Sequence, residues 1–93
     1  MTNVVIAGYA RSPFTLARKG ALARVRPDDM AADVLRGLIA QTGVNPEDIE
    51  DIIMGCAFPE GEQGMNVARL IGLLADLPLT VGGCTVNRFC GSS

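Results

Sequence analysis

The chain has 93 residues, 48% of them hydrophobic, with a formal net charge of -2 and no histidine. That length allows at most one domain, near the size where burial only narrowly offsets chain entropy, and so apolar a chain is expected to meet a partner with part of its surface. The acidic balance excludes a nucleic-acid-binding field, and the absence of a long apolar run or a signal-type leader points away from the membrane and toward a soluble, cytoplasmic protein.

The segment NVVIAGYA, residues 3–10, is a β-branched apolar run without polar alternation. This is the pattern of a strand covered on both faces, and it predicts a central parallel strand. From RSPF to Pro27 no period is visible, so a surface loop is expected. Arg11, Arg18, Lys19, Arg24 and Arg26 fall in this stretch and are read as a solvated face rather than an anion-binding patch. From Asp28 onward, Met30, Ala31, Val34, Leu35, Leu38 and Ile39 follow helical spacing. They predict an amphipathic helix capped by Asp28, with Asp29 in its first turn and Gly43 as its left-handed C-terminal residue. In NPED, Asn45 is placed to cap a short helical turn that Pro46 opens.

DIIMGCAF, residues 51–58, is the second buried-strand candidate, and GEQG makes the turn after it. A helix is predicted from about Asn66 to Ala75, capped by Asn66 and buried on nearly all sides, with Arg69 as its one charge. Pro78 ends it. GGCTVNRF, residues 82–89, is the third strand candidate, and CGSS lies where the next helix should begin.

Strand, helix, strand, helix, strand is the alternation of an α/β protein with a mostly parallel sheet and helices on both faces. Ligands in such sheets bind outside the carboxyl ends of the strands, which puts Cys90 at the functional edge. A thiol at a helix N-terminus is biased toward thiolate, and amide groups of the small residues after it could stabilise an oxyanion. Against this, a cysteine in an apolar chain is commonly a small buried hydrophobe, and no histidine is at hand to act as its base. Cys56 and Cys84 are assigned to the core on the same grounds. Three irregularly spaced cysteines fit neither a disulfide framework nor a zinc site.

VNRFCGSS resembles the nucleophile motif of the thiolases, V-N-x-x-C followed by small residues. VVIAGYARSPF is similar to that family's opening strand and its R-T-P-F turn, with Ser12 in place of the commoner threonine and Thr15 where a glycine is frequent. GVNPEDIEDIIMGCAFPEGEQGMNVAR resembles the family's second strand and the loop and helix after it. The likeness runs through nearly the whole chain in order, and it is greatest to the degradative 3-ketoacyl-CoA thiolases.

This resemblance implies a thiolase-like α/β fold in which residues 1–93 form an incomplete N-terminal domain, cut at the start of the helix that follows the nucleophile. It implies that Cys90 is acylated by a 3-ketoacyl-CoA, acetyl-CoA leaves, and coenzyme A, a substrate and not a cofactor, takes the acyl group. The implied partner is the remaining thiolase polypeptide with its histidine and second cysteine, the complete enzyme being a homodimer or homotetramer. Asn87 and Arg88 are expected to hold the turn before the nucleophile. Two other readings stay open: a ketosynthase-like condensing enzyme of the same superfamily, and a non-catalytic thiolase-like binding or scaffold protein.

Overall fold

The structure is a computed structural model that describes residues 2–93. Two α-helices and two strands carry it: α1 (Pro27–Thr42), β1 (Asp51–Gly55), α2 (Val67–Leu74) and β2 (Gly82–Val86), with single 3-10 turns before β1, before α2 and after β2. β1 and β2 pair in parallel, Asp51 opposite Gly82 through to Gly55 opposite Val86. Parallel neighbours need a long crossover, and α2 supplies it, making a β-α-β unit.

Helix α1 begins two residues earlier than its sequence suggests. Arg26 occupies the cap position, Pro27 opens the first turn where its missing N–H costs nothing, and the Asp29 N–H donates to Asp28 Oδ1 from inside the helix. The Asp28 carboxylate is buried and receives two hydrogen bonds from the Arg26 guanidinium, at 3.1 and 3.0 Å. Those bonds hold the Asp28 carboxyl below its ordinary range although burial pushes the other way. Arg26 also reaches Glu62 at 3.6 Å, tying the loop before α1 to the turn before α2. At the other end Gly43 takes φ 70°, and its N–H donates to the Ile39 carbonyl, as its position predicts. Asn45 caps the next turn by accepting from the Glu47 N–H at 3.1 Å.

The core is small. Val67, Ala68 and Ile71 of α2 are buried against Ile52 and Met54 of β1, Ala32 of α1, and Leu77 and Val81 of the link to β2. Burying Ile71 alone contributes about 1.5–3 kcal/mol. Arg69 turns its guanidinium back to the carbonyls of Val81 and Leu79, at 2.6 and 3.3 Å, so the helix's one charge is spent on closing that link.

Three expectations need correction. Residues 3–10 form no strand: Val4 and Ile6 are 96% and 92% exposed, and no backbone hydrogen bond joins the segment to another element among the described residues. Gly8 approaches Thr42 and Leu38 of α1, and Ala7 lines a groove with it beside Leu35 and Ile39. An apolar run becomes a strand only where a neighbour accepts from its N–H groups and donates to its C=O groups, and none lies alongside it here. The β-α-β-α-β order is therefore seen without its first strand.

Next, α2 is not buried all round, since Leu73 and Leu74 stay 42% exposed. Only one face of the sheet is covered as well. Ile52, Met54, Gly83 and Thr85 turn toward α2, while Ile53 and its register partner Cys84 are exposed on the opposite face. Cys84 is thus a surface thiol and not the core residue expected, whereas Cys56 is buried. No helix among the described residues is long and apolar enough to cross a membrane.

Candidate active site

The site is built outward from the carboxyl ends of the two strands. The ladder extends by one bond past β1, where the Cys56 N–H donates to the Val86 carbonyl at 2.9 Å. Beyond that pair the chain turns sharply. Asn87 leaves β2, and Phe89–Gly91 forms a 3-10 turn with Cys90 at its centre, exposed to solvent. Cys90 therefore lies at the sheet edge where the alternation of elements places it.

Four features shape the turn. The Asn87 side chain donates from Nδ2 to the Ala57 carbonyl at 3.2 Å and accepts at Oδ1 from the Phe89 N–H at 2.9 Å. The Arg88 N–H donates to Ser92 Oγ at 2.9 Å. Phe89 has φ 49°, a left-handed conformation that costs a non-glycine residue about 1–2 kcal/mol and persists only where neighbouring contacts over-determine it. Finally, Ser92 lies directly on Gly55: a Cβ added to Gly55 would overlap the Ser92 carbonyl. Only a residue without a side chain leaves the turn room at the tip of β1.

The small residues after Cys90 do not present free amides as the sequence suggests. The Gly91 N–H donates to the Arg88 carbonyl at 3.0 Å and the Ser92 N–H to the Phe89 carbonyl at 3.1 Å. A 3-10 turn closes its bonds over three residues, so these two donors are already engaged.

Asn66 also differs from expectation. It does not cap α2 with its side chain; its backbone is left-handed, φ 56°. Its Nδ2 donates instead to the Gly83 carbonyl at 3.0 Å, and its Oδ1 accepts from Thr85 Oγ1 at 2.7 Å. Thr85 Oγ1 in turn accepts from the Ala68 N–H at 3.2 Å, so the cap of α2 comes from β2. A groove of about 450 Å³ runs beside this network, lined by Pro59, Asn66, Gly83, Cys84, Thr85 and Asn87. Gln63 is structural, donating to the Phe58 carbonyl at 2.9 Å.

Gly55 and Thr85 were not visible as site-supporting residues in the sequence. Their partners, Ser92 and Ala68, lie far along the chain from them, and no local pattern records such a contact. Asn87 could be placed before the turn but not given its two partners.

A parallel β-α-β unit with a cysteine turn raised on its strand ends defines an α/β protein with its candidate nucleophile at the sheet edge. The crystal structure of the Bacillus anthracis acetyl-CoA acetyltransferase superposes with a TM-score of 0.89 at 37% identity, over 99% of this chain and 23% of that one. The chain belongs to the thiolase family: the model of the thiolase N-terminal domain matches residues 4–93. It is 50% identical over 92 residues to a 3-ketoacyl-CoA thiolase of Bacillus subtilis and 47% identical over 94 residues to one of Vibrio vulnificus. It spans 24% of the length of each.

Proposed function

We propose that this chain supplies the nucleophile, Cys90, of an acetyl-CoA C-acyltransferase that cleaves 3-ketoacyl-CoA. The Cys90 sulfur attacks the 3-keto carbon, and the bond between carbons 2 and 3 breaks. The acyl group stays on sulfur as a thioester while the two-carbon fragment leaves as the enolate of acetyl-CoA and takes a proton. The thiol of coenzyme A then attacks the thioester, gives up its proton and releases acyl-CoA, returning Cys90 as thiolate. The reverse sequence is a Claisen condensation, and both follow ping-pong kinetics.

The observation that carries this reading is the exposed Cys90 turn at the carboxyl ends of the parallel strands, within a segment that matches the thiolase N-terminal domain throughout. This chain has no histidine to serve as the base. The reading therefore includes a further polypeptide carrying a histidine and a second cysteine, without which the chain is inactive. The assembled enzyme is a cytoplasmic homodimer or homotetramer serving fatty-acid β-oxidation.

The test uses this chain assembled with its complement. Incubation with a 3-ketoacyl-CoA in the absence of CoA should leave an acyl mass on the Cys90 peptide, and Cys90→Ala should lower turnover by at least about a thousandfold. Unchanged turnover in Cys90→Ala refutes the assignment. A complement carrying two histidines would favour the condensing-enzyme reading, and the lack of any acyl adduct would favour a scaffold.

A further inference from the structure

One side chain both fastens the cysteine turn to the far side of the sheet and holds the turn's own backbone. Asn87 reaches across from the end of β2 to the Ala57 carbonyl beyond β1, at 3.2 Å, while its other amide atom holds the Phe89 N–H at 2.9 Å. The Arg88 to Ser92 bond is internal to the turn and does not anchor it. The two Asn87 bonds need one donor and one acceptor on a single rigid plane. A carboxamide of this length has both; a carboxylate has no donor.

The acceptor half grips the strained residue. Phe89 is the left-handed position, φ 49°, and Cys90 follows it directly. The Phe89 ring is 72% exposed, so aromatic packing does not hold that backbone. If φ at Phe89 relaxes to a negative value, Cys90 swings with it, because all of the chain after the Phe89 N–Cα bond turns together.

We propose that Asn87 is the positioning residue of Cys90: it pins the left-handed backbone at Phe89 to the end of β1 and so fixes the direction in which the thiol faces. This rests on the reading of Cys90 as the nucleophile. Asn87 touches no substrate in this role. Its loss acts on the acylation rate and leaves substrate affinity alone.

The experiment measures steady-state and single-turnover thiolysis of acetoacetyl-CoA by the assembled enzyme for Asn87→Ala, Asn87→Asp and the double variant Asn87→Ala with Phe89→Gly. Asn87→Ala should lower kcat by about tenfold to a hundredfold, the range reached by a misplacement near 1 Å, with KM within about twofold. Asn87→Asp keeps the acceptor for Phe89 but sets oxygen against the Ala57 carbonyl, and should fall between wild type and Asn87→Ala. Glycine at 89 adopts positive φ without strain, so the double variant should regain part of the lost kcat. A fold-supporting asparagine would show no such rescue. Full kcat in Asn87→Ala and Asn87→Asp, or a loss in both that glycine at 89 does not relieve, overturns the proposal. Cys90→Ala, run alongside, separates the two failures. If it is inactive while the Asn87 variants are fully active, only the positioning role falls; if it is active, the nucleophile reading falls and the positioning role with it.

Discussion

Replacing Gly55 by alanine tests whether the tip of β1 and the cysteine turn form one packed unit. A Cβ at position 55 would stand 2.5 Å from the Ser92 carbonyl carbon and closer still to its oxygen. Non-bonded heavy atoms in contact sit about 3.5 Å apart, and the nearer oxygen sets the demand, so the turn has to retreat by more than about 1 Å. The obstacle is backbone, and no side-chain rotation relieves it. Overpacking of this kind costs about 1–3 kcal/mol. Gly37, in the exposed middle of α1, is the matched control, because an added Cβ there meets nothing within 4 Å. Gly37→Ala should gain about 0.5–1 kcal/mol from helix propensity alone. The assay is equilibrium unfolding in urea for both variants. It is combined with the rate of Cys90 alkylation relative to Cys84, a second exposed thiol that serves as internal reference. Gly55→Ala should lose stability and change the Cys90 to Cys84 ratio, while Gly37→Ala leaves the ratio alone. If Gly55→Ala matches wild type within about 0.5 kcal/mol at an unchanged ratio, the seat described for Ser92 is wrong.

Thr85→Val keeps the shape of the side chain but removes the acceptor of the Ala68 N–H and the donor to Asn66 Oδ1. It should cost about 1–2 kcal/mol in urea unfolding, and a change below about 0.5 kcal/mol would deny the cap. The Asp28 pair gives a pH dependence of definite sign. Because the carboxyl is held below its ordinary value of 3.8 in the folded chain, its contribution is fully present above that value. It is lost as pH falls below 3.8 and through the lower folded value. Asp28→Asn should therefore be less stable than wild type at neutral pH, with the gap closing in acid; a gap that widens in acid would reverse the assignment.

What the sequence disclosed was local. Gly43 and Asn45 act at the turns where their types are favoured, because a left-handed cap and an asparagine cap each depend only on residues within one helical turn. The helical face of α1 was legible for the same reason, as was Cys90 at a strand end. What escaped depended on distant partners. NVVIAGYA has every attribute of a strand except a neighbour, and pairing is not written in the strand itself. Asp28 was displaced from the cap because Arg26, two residues before it, claimed its carboxylate. Asn66 was read as a cap on its type and position, yet its amide is engaged by Gly83 and Thr85 on another element. The exposure of Cys84 follows from which face of the sheet α2 covers, and a uniformly apolar strand does not reveal that.

The cap of α2 bears on the order in which the chain organises itself. An eight-residue helix is too short to persist alone in water, and here the hydroxyl that receives its first turn belongs to a strand made later in the chain. Arg69 likewise finds its carbonyl partners only after the chain has come round to residues 79–81. Helix α2 is therefore a product of β2 docking and not a nucleus that waits for it. A peptide of residues 60–78 should stay disordered, and during synthesis this stretch should remain unstructured until the segment leading to Cys90 has been made. Helix, sheet and cysteine turn then order in one step, a non-local event that sets a slower pace than a helical segment of this size would otherwise allow.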